Sequence, residues 1–296
     1  MAPKPHNVSV HKPERSVTGL ASHLRIPVIS VLGYKDSGKT LLIEGLVKGL
    51  TGRGLKVATA KHISQRGFTM DREGKDTWRH SKAGANPVLS VSEGEIAILM
   101  KEGLEGLSID RLLELIPKAD VFILEGFSWL TLKDERVGKI ICVRDEGESE
   151  LFKGKVKGDL IAVCSLRKLN PPTLNIREDI DTIVSEVSEY IDGVIETLKI
   201  LEKLPRLNCG KCGFKTCWGM AKAIRDGTAR LDDCLVIKHK SKVGSSLTVD
   251  GSDVPLQPFV SEVIRRTVLG MVSTLKGISI KGDEHVHIDI RSKGSH

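Results

Sequence analysis

Apolar runs rich in β-branched residues alternate with amphipathic stretches over the first two-thirds of the chain. Residues 26–34, IPVISVLGY, form such a run and enter a Gly-rich turn. After this turn, leucines recur near a 3.6-residue period from Lys39 to Leu50. The pattern predicts a buried strand, a tight turn and an amphipathic helix, in that order.

The same two patterns predict the elements that follow. Strands, marked by nearly continuous apolar character, are predicted at 55–61, 86–92, 95–101, 120–127, 138–145 and 159–165. Helices are predicted at 76–85, 108–116 and 177–204, and a polar loop at 62–75. Apolar strands separated by helices are typical of a mainly parallel sheet that is covered on both faces. The expected fold class is therefore α/β.

Changes in composition divide the chain into four segments. These are a flexible polar tail at 1–24, an α/β domain at 25–200, a cysteine-rich module at 201–242 and a last unit at 243–296. In the last unit we expect a helix at 258–276 and a β-hairpin around Gly282-Asp283. Because no apolar run reaches about 18 residues and the N-terminus lacks a signal-peptide core, we expect a cytoplasmic protein without membrane association.

Charge is concentrated in the cysteine-rich module. The chain carries a formal charge of +7, and residues 203–242 contain ten Lys or Arg against three Asp, which equals the whole excess. A basic patch can bind nucleic acid. Here the stacking aromatics are almost missing, with Phe214 and Trp218 alone in this segment, so nucleic acid is not the expected partner. Compensation of an anionic metal cluster, or of an anionic partner, explains the charge equally well.

The Gly-rich turn fits the phosphate-loop pattern G-x-x-x-x-G-K-[ST]. Glycines let several backbone N–H groups point at one phosphate chain, and the helix N-terminus adds partial positive charge. Lys39 can reach the β- and γ-phosphates, and the Thr40 hydroxyl can ligate Mg²⁺. The predicted nucleotide-binding residues are Gly33, Tyr34, Lys35, Asp36, Ser37, Gly38, Lys39 and Thr40.

Two further places carry charged side chains near this loop. Glu125 ends the strand at 120–127, where an acid can orient water or hold the Mg²⁺ shell. Residues 61–85 are rich in charge and include a helix for which Asp76 is the predicted N-cap. A solvated loop before a capped helix is the simpler interpretation of that stretch. No N-K-x-D string specifies guanine, although residues 164–170 follow a late strand where a base could bind.

The combination of motifs resembles the molybdopterin-guanine dinucleotide biosynthesis adaptor family, MobB. The resemblance covers about residues 25–200 and rests on GYKDSGKTLLIEGLVKGL, Lys61-His62, Asp71, GKDTWRHSKAGA and DVFILEGF. It implies a P-loop NTPase-like fold that binds GTP with Mg²⁺, usually as a homodimer. It also implies an adaptor with weak GTP hydrolysis that assists attachment of GMP to the pterin of the molybdenum cofactor.

The resemblance also implies roles for individual residues. Asp76 and Glu125 would be metal-shell or water-positioning acids, and thus the catalytic candidates. The guanine-nucleotide or pterin-phosphate surface would include Lys61, His62, Arg79 and His80. Implied partners are a guanine nucleotide, molybdopterin or its transferase, and a molybdoenzyme client.

Four cysteines in the module have the spacing C-x2-C-x4-C-x16-C. In a cytoplasmic chain, clustered thiols indicate a metal site rather than disulfides. Zinc remains an alternative, although paired C-x2-C knuckles are usual for zinc. Residues 204–236 resemble a small four-cysteine 4Fe–4S domain, which implies cluster ligation by Cys209, Cys212, Cys217 and Cys234. Cys142 and Cys164 lie in apolar strands and are expected to act as small hydrophobic residues.

The sequence therefore predicts a GTP-binding adaptor with a 4Fe–4S cluster that acts in molybdenum- or tungsten-cofactor maturation. Two other functions remain open at this point. One is a nucleotide-gated chaperone for assembly of a metal centre, unrelated to the pterin. The other is a redox protein that passes electrons through the cluster.

Overall fold

A computed structural model describes residues 24–116, 118–152, 154–240, 245–275 and 286–288. Most of the predicted N-terminal tail and the predicted hairpin around Gly282-Asp283 lie outside the described residues. None of the helices in the described ranges combines the length and the apolar character that a membrane span needs.

One six-stranded sheet organises the region up to residue 199. Its strands are β1 (Val28–Leu32), β2 (Val57–Lys61), β5 (Val121–Glu125), β6 (Gly138–Val143), β7 (Leu160–Ser165) and β8 (Leu174–Asn175). They lie in the order β2-β5-β1-β6-β7-β8, and every adjacent pair is parallel. The carboxyl ends of the strands therefore meet at one edge of the sheet.

Alternate residues of β1 point to opposite faces of this sheet, and each face is covered by helices. Ile29 and Val31 pack with α1 (Lys39–Gly52) and α6 (Ile180–Glu202). On the opposite face, Val28 packs with α3 (Ile109–Glu114) and Leu32 packs near α5 (Glu146–Phe152). The predicted α/β class is thus confirmed, with a P-loop NTPase-like sheet between two helical layers.

A separate hairpin follows the loop at 62–75. The helix α2 (Asp76–Lys82) leads to β3 (Val88–Val91) and β4 (Ile96–Leu99), which pair antiparallel in a sheet of their own. Both strands were predicted, but their separation from the main sheet was not. The prediction of Asp76 as N-cap is wrong: the extended residue before the helix is Lys75, and Asp76 is already in the first turn.

The region from residue 200 onward forms a second compact unit, and the division falls within α6. It contains α7 (Cys217–Arg225), a 3₁₀ turn (Leu231–Asp233) and α8 (Leu235–Lys240). A short hairpin of β9 (Leu247–Val249) and β10 (Ser252–Val254) precedes α9 (Pro258–Ser273). The helix predicted at 258–276 is confirmed, whereas the β9–β10 hairpin was not predicted, because strands of three residues give no clear alternation.

A buried lysine joins two loops at the amino end of β6. Lys139 is fully buried, and its Nζ donates to the backbone oxygens of Asp134 at 2.5 Å, of Val137 at 2.7 Å and of Lys157. Burial would raise the pKa of Asp134, but hydrogen bonds from Arg136 and the charges of Arg136 and Lys139 outweigh it, and the pKa is lowered. The ammonium is therefore satisfied by carbonyl oxygens and by a nearby carboxylate.

We expect Lys139→Met to lower the free energy of unfolding by about 2–4 kcal/mol, because it removes three hydrogen bonds from a fully buried ammonium to backbone carbonyl oxygens. Lys133→Met, at an exposed position six residues earlier, is the matched control and should change stability by less than about 0.5 kcal/mol. Urea denaturation followed by circular dichroism measures both. Equal midpoints for the two variants would show that the Lys139 bonds do not stabilise the fold.

Candidate functional site

The phosphate loop, residues 33–40, connects β1 to α1 through three residues with left-handed backbone angles. The φ values are 145° at Gly33, 63° at Asp36 and 91° at Gly38. A Cβ atom at Gly33 would lie 2.2 Å from the backbone oxygen of Cys142, and one at Gly38 would lie 2.7 Å from the side chain of Leu166. Both positions therefore require glycine for conformation and for space.

The start of α1 is open to an anion. Gly38 is its N-cap, no side chain caps it, and no acidic residue occupies its first turn. The first N–H groups of such a helix have no partner within the helix. Within the loop, Ser37 Oγ donates to Tyr34 O at 2.9 Å and Lys39 Nζ donates to the same oxygen at 2.5 Å. The Lys39 side chain thus folds back and binds the backbone of the same loop that would hold a phosphate.

Thr40, Lys61 and Glu125 meet beside the loop. Thr40 Oγ1 donates to Glu125 Oε1 at 3.0 Å, and Lys61 Nζ lies 3.0 Å from the same carboxylate oxygen. Lys61 Nζ and Thr40 Oγ1 are 3.5 Å apart. The Glu125 side chain is only 12% exposed, so this carboxylate is held firmly in place.

Strand register accounts for this meeting. Glu125 is paired with Val31 of β1 on one side and with Lys61 of β2 on the other. The three residues therefore lie at one level, at the carboxyl ends of adjacent strands, and the phosphate loop begins two residues after Val31. The hydroxyl of Thr40, in the first turn of α1, reaches the carboxylate from above this edge.

The structure does not join the other predicted residues to this group. Asp76 lies 4.0 Å from Arg79 in an ion pair whose side chains are 89% and 71% exposed. His80 is also exposed. In the described part of the chain, no hydrogen bond or ion pair links these three residues to Thr40, Lys61 or Glu125. His62 is closer, because its backbone N–H donates to Glu125 O at 3.0 Å.

Two sets of ring contacts near the loop were not predicted from the sequence, although Tyr34 and His62 were themselves predicted binding residues. Tyr34 carries the guanidinium of Arg144 over its ring at 5.5 Å, and the Phe152 ring lies 6.2 Å away. The ring cluster, defined as His62, Phe127 and Trp129, has centroid separations of 5.5–6.4 Å. The signal available for the ring cluster was an unusual Trp four residues after Glu125 in a chain with three Trp.

Cys142 and Cys164 are buried in the sheet, directly paired across β6 and β7. Burial raises the pKa of the Cys142 thiol to about 12, although the charge of Lys39 partly opposes the shift. Burial likewise raises the pKa of Cys164. Both thiols are therefore protonated, and they pack as small hydrophobic groups, as predicted.

The other four cysteines line one cavity, which we call the cysteine cavity. Gly210 and Gly213 adopt φ values of 70° and 89°, and Asn208 also has a positive φ, of 47°. The Asn208 side chain accepts a hydrogen bond from the Cys217 N–H at 2.7 Å, which fixes the turn to the start of α7. The cavity is lined by Pro205, Cys209, Gly210, Lys211, Cys212, Phe214, Thr216, Cys217, Met220, Cys234, Leu235 and Val236.

The donors of the cysteine cavity suit an iron–sulfur cluster. Cys217 and Cys234 are buried, whereas Cys209 and Cys212 are half-buried, and all four thiols are free. Burial raises the pKa of Cys217, a hydrogen bond from the Asn208 backbone opposes the shift, and the neighbouring Cys234, Cys209 and Cys212 add to it. Four thiols with mostly apolar walls match the ligand set of an iron–sulfur cluster. Among the described residues, no three His, Cys, Asp or Glu side chains converge in the geometry of a single metal ion.

Comparison with known proteins places both regions in families. Residues 28–166 match the family described as MobB, molybdopterin guanine dinucleotide synthesis protein B. Residues 204–236 match a family described as "Putative Fe-S cluster". The crystal structure of Bacillus subtilis MobB is similar to 54% of this chain and 98% of its own, at 24% identity and a TM-score of 0.45.

Two curated relatives show how far the similarity extends. The "Molybdopterin-guanine dinucleotide biosynthesis adapter protein" of Haemophilus influenzae is 36% identical over 124 residues, which are 41% of this chain and 66% of that protein. The "Putative molybdopterin-guanine dinucleotide biosynthesis adapter protein" of Methanocaldococcus jannaschii is 31% identical over 267 residues, which are 89% of this chain and 97% of that protein. Because this second similarity spans nearly the whole of both chains, the protein belongs to the MobB family of molybdopterin-guanine dinucleotide biosynthesis adapters.

Proposed function

We propose that the protein is a GTP-binding adaptor in molybdenum- or tungsten-cofactor biosynthesis, which assists formation or delivery of molybdopterin guanine dinucleotide and carries a 4Fe–4S cluster. The observation that carries the proposal is the meeting of Thr40, Lys61 and Glu125 beside an uncapped, glycine-dependent phosphate loop. Family membership supplies the biosynthetic context.

The phosphate loop supports binding of a nucleoside triphosphate with Mg²⁺. Backbone N–H groups at the start of α1 would contact the phosphates, and Lys39 would exchange the Tyr34 carbonyl for a phosphate oxygen. Thr40 Oγ1 and Glu125 Oε1 are both oxygen ligands of the kind that Mg²⁺ prefers. We propose a preference for GTP over ATP from family membership alone, because the sequence has no N-K-x-D string that would specify guanine.

We propose weak hydrolysis at most. Glu125 is the acid placed to hold the metal shell or to position water, but its carboxylate already bonds Thr40 and Lys61. Asp76, the second predicted acid, is exposed and is paired with Arg79 instead. An adaptor that changes partner affinity on nucleotide binding requires no fast chemical step.

The cysteine cavity supports the second half of the proposal. Cys209, Cys212, Cys217 and Cys234 would hold the cluster, with Asn208 fixing the approach to Cys217. Such a cluster supplies one-electron redox chemistry when bound, and its negative charge is matched by the basic residues of the module. We propose a cytoplasmic location, because a reducing compartment keeps such thiols available to hold a cluster.

The β3–β4 hairpin supports a homodimer. Leu89 is directly opposite Ile98, and Val91 is opposite Ile96, so all four side chains share one face. Each is more than half exposed. A two-stranded sheet is marginally stable alone, and exposed apolar patches mark contact surfaces. We propose that a second copy of the chain covers this face, while molybdopterin, its transferase and a molybdoenzyme client are the further partners.

The nucleotide site is tested by Lys39→Ala, with Lys48→Ala on the exposed side of the same helix as control. We expect Lys39→Ala to weaken Mg²⁺–GTP binding about ten-fold or more in calorimetry, because a charge-assisted bond to phosphate is lost. Glu125→Gln should reduce the gain in affinity that Mg²⁺ gives. Equal affinities of the Lys39 and Lys48 variants, or tighter binding of ATP than of GTP, would contradict the proposal.

The cluster is tested by iron and sulfide analysis of protein prepared without oxygen. We expect the wild-type chain to contain both, with visible charge-transfer absorption, and Cys212→Ser to lose most of each, because one of four thiolate ligands is removed. Cys142→Ala, which changes a cysteine outside the cavity, should keep them. Zinc in place of iron would leave the metal site intact but would refute the cluster.

The dimer is tested by Leu89→Glu, which places a charge on the apolar face of the hairpin. We expect wild-type protein to have twice the chain mass in light scattering and the variant to have the mass of one chain, because a buried unpaired carboxylate is costly. Ser90→Glu, on the opposite face of β3, should remain dimeric. A monomeric wild-type protein would falsify this surface assignment.

A further inference from the structure

A strained turn after β5 sets the position of the ring cluster. Gly126 has a φ of 83°, and Phe127 follows with a φ of 59°. A residue other than glycine is strained in this region and persists there only where its surroundings determine it. In this turn the strain is placed directly after Glu125, the acid of the nucleotide site.

Buried hydroxyl groups hold this turn in place. Ser30 and Thr131 are fully buried, and their oxygens lie 2.9 Å apart. Ser30 Oγ is 3.1 Å from Gly126 O, and Thr131 Oγ1 is 3.0 Å from Phe127 O. The Gly126 N–H also donates to Val31 O of β1 at 3.0 Å. The turn is thus fixed to the centre of the sheet and to the short helix α4 (Ser128–Thr131).

The held turn presents a tryptophan that is rigid and yet open to solvent. Phe127 is buried, whereas Trp129 is 53% exposed. Trp129 contacts both other rings of the cluster, with centroids 6.3 Å from His62 and 6.4 Å from Phe127. An aromatic ring held on one side and exposed on the other loses little conformational entropy when a planar ligand stacks on it.

The ring cluster lies next to the phosphate loop, on the side of β2 and β5. His62 follows Lys61 directly, and its backbone N–H donates to Glu125 O. The cluster therefore lies at the carboxyl ends of β2 and β5. Leu166, which packs against Gly38 of the phosphate loop, follows β7 on the other side of β1. The nucleotide's own base is expected near that second side, which leaves the ring cluster for another planar group.

We propose that Trp129, together with His62 and Phe127, is a stacking platform for a fused 2-amino-4-oxopyrimidine ring that carries a phosphate. A pterin and a guanine share this ring chemistry. Lys61, which directly precedes His62, is 55% exposed and pairs with Glu125 at 3.0 Å, so its ammonium could bind the phosphate only by exchanging this carboxylate for it. The class of ligand rests on the proposed function in cofactor biosynthesis. The stacking geometry is independent of that function, because it follows from the ring contacts.

Equilibrium dialysis of the full chain tests the platform with three probes: neopterin monophosphate, GMP and ribose 5-phosphate. We expect neopterin monophosphate to bind saturably and Trp129→Ala to weaken this binding about ten-fold, since stacking on an aromatic side chain contributes that much per ring. Trp129→Phe should restore most of the affinity. Ribose 5-phosphate, which has no ring, should be unaffected by either change.

Trp78→Ala is the matched control, because Trp78 lies in the same unit and stacks against Lys82 rather than in the ring cluster. It should bind the probes as the wild-type protein does, and thermal unfolding should show that all variants are folded. An effect of Trp129→Ala on neopterin monophosphate alone identifies a pterin, and an effect on GMP alone identifies the guanine base. Either result supports the platform.

Equal affinities of wild type and Trp129→Ala for both ring compounds, or no saturable binding of either, would overturn the platform. Lys39→Ala separates this result from the proposed nucleotide site. If Lys39→Ala leaves GTP binding unchanged while Trp129→Ala still weakens a ring probe, the platform stands and the phosphate-loop proposal fails. If the opposite pattern is found, the nucleotide site stands alone.

Discussion

Parallel pairing of β5 between β1 and β2 is the constraint on which the proposed nucleotide site depends. It places Val31, Glu125 and Lys61 at one level, so the turn after β1, the acid after β5 and the lysine of β2 meet at one edge. The phosphate loop can then close only over glycines, because the backbone of β6 and the side chain of Leu166 occupy the space that a Cβ would need. Position along the sheet, rather than any single motif, creates the site.

The elements predicted well are those with strong and repeated signals. β1, β5 and β6 are buried on both faces, and β7 is buried towards its carboxyl end, so their sequences are mostly apolar at successive positions and can be recognised without a partner. The glycine and lysine pattern at 33–40 and the spacing of the four clustered cysteines were equally clear, because backbone wrapping and thiol coordination both need fixed residue types. Lys61 and Glu125 were also identified, and the structure brings them together.

The features that were missed depend on contacts between distant residues. The helix α4 has four residues, too few to show a period, and its Thr131 acts through Ser30, a hundred residues away in the chain. Trp129 is recognised as part of a ring cluster only through its contact with His62, which follows β2. Asp76 fits an N-cap by residue type, but the backbone becomes extended one residue earlier, at Lys75. Pairing partners and backbone angles of this kind are properties of the folded chain, not of local composition.

The ammonium of Lys61 has a consequence for how the phosphate site handles charge. It is 3.0 Å from Glu125 Oε1 and 3.5 Å from Thr40 Oγ1, so the protein supplies its own counter-ion to the carboxylate. If Thr40 and Glu125 held a divalent ion, the Lys61 ammonium would lose its carboxylate partner and would be available to neutralise a neighbouring anion. Without a bound ion, the negative charge of Glu125 is balanced by the Lys61 ammonium, a monovalent cation that is covalently part of the chain.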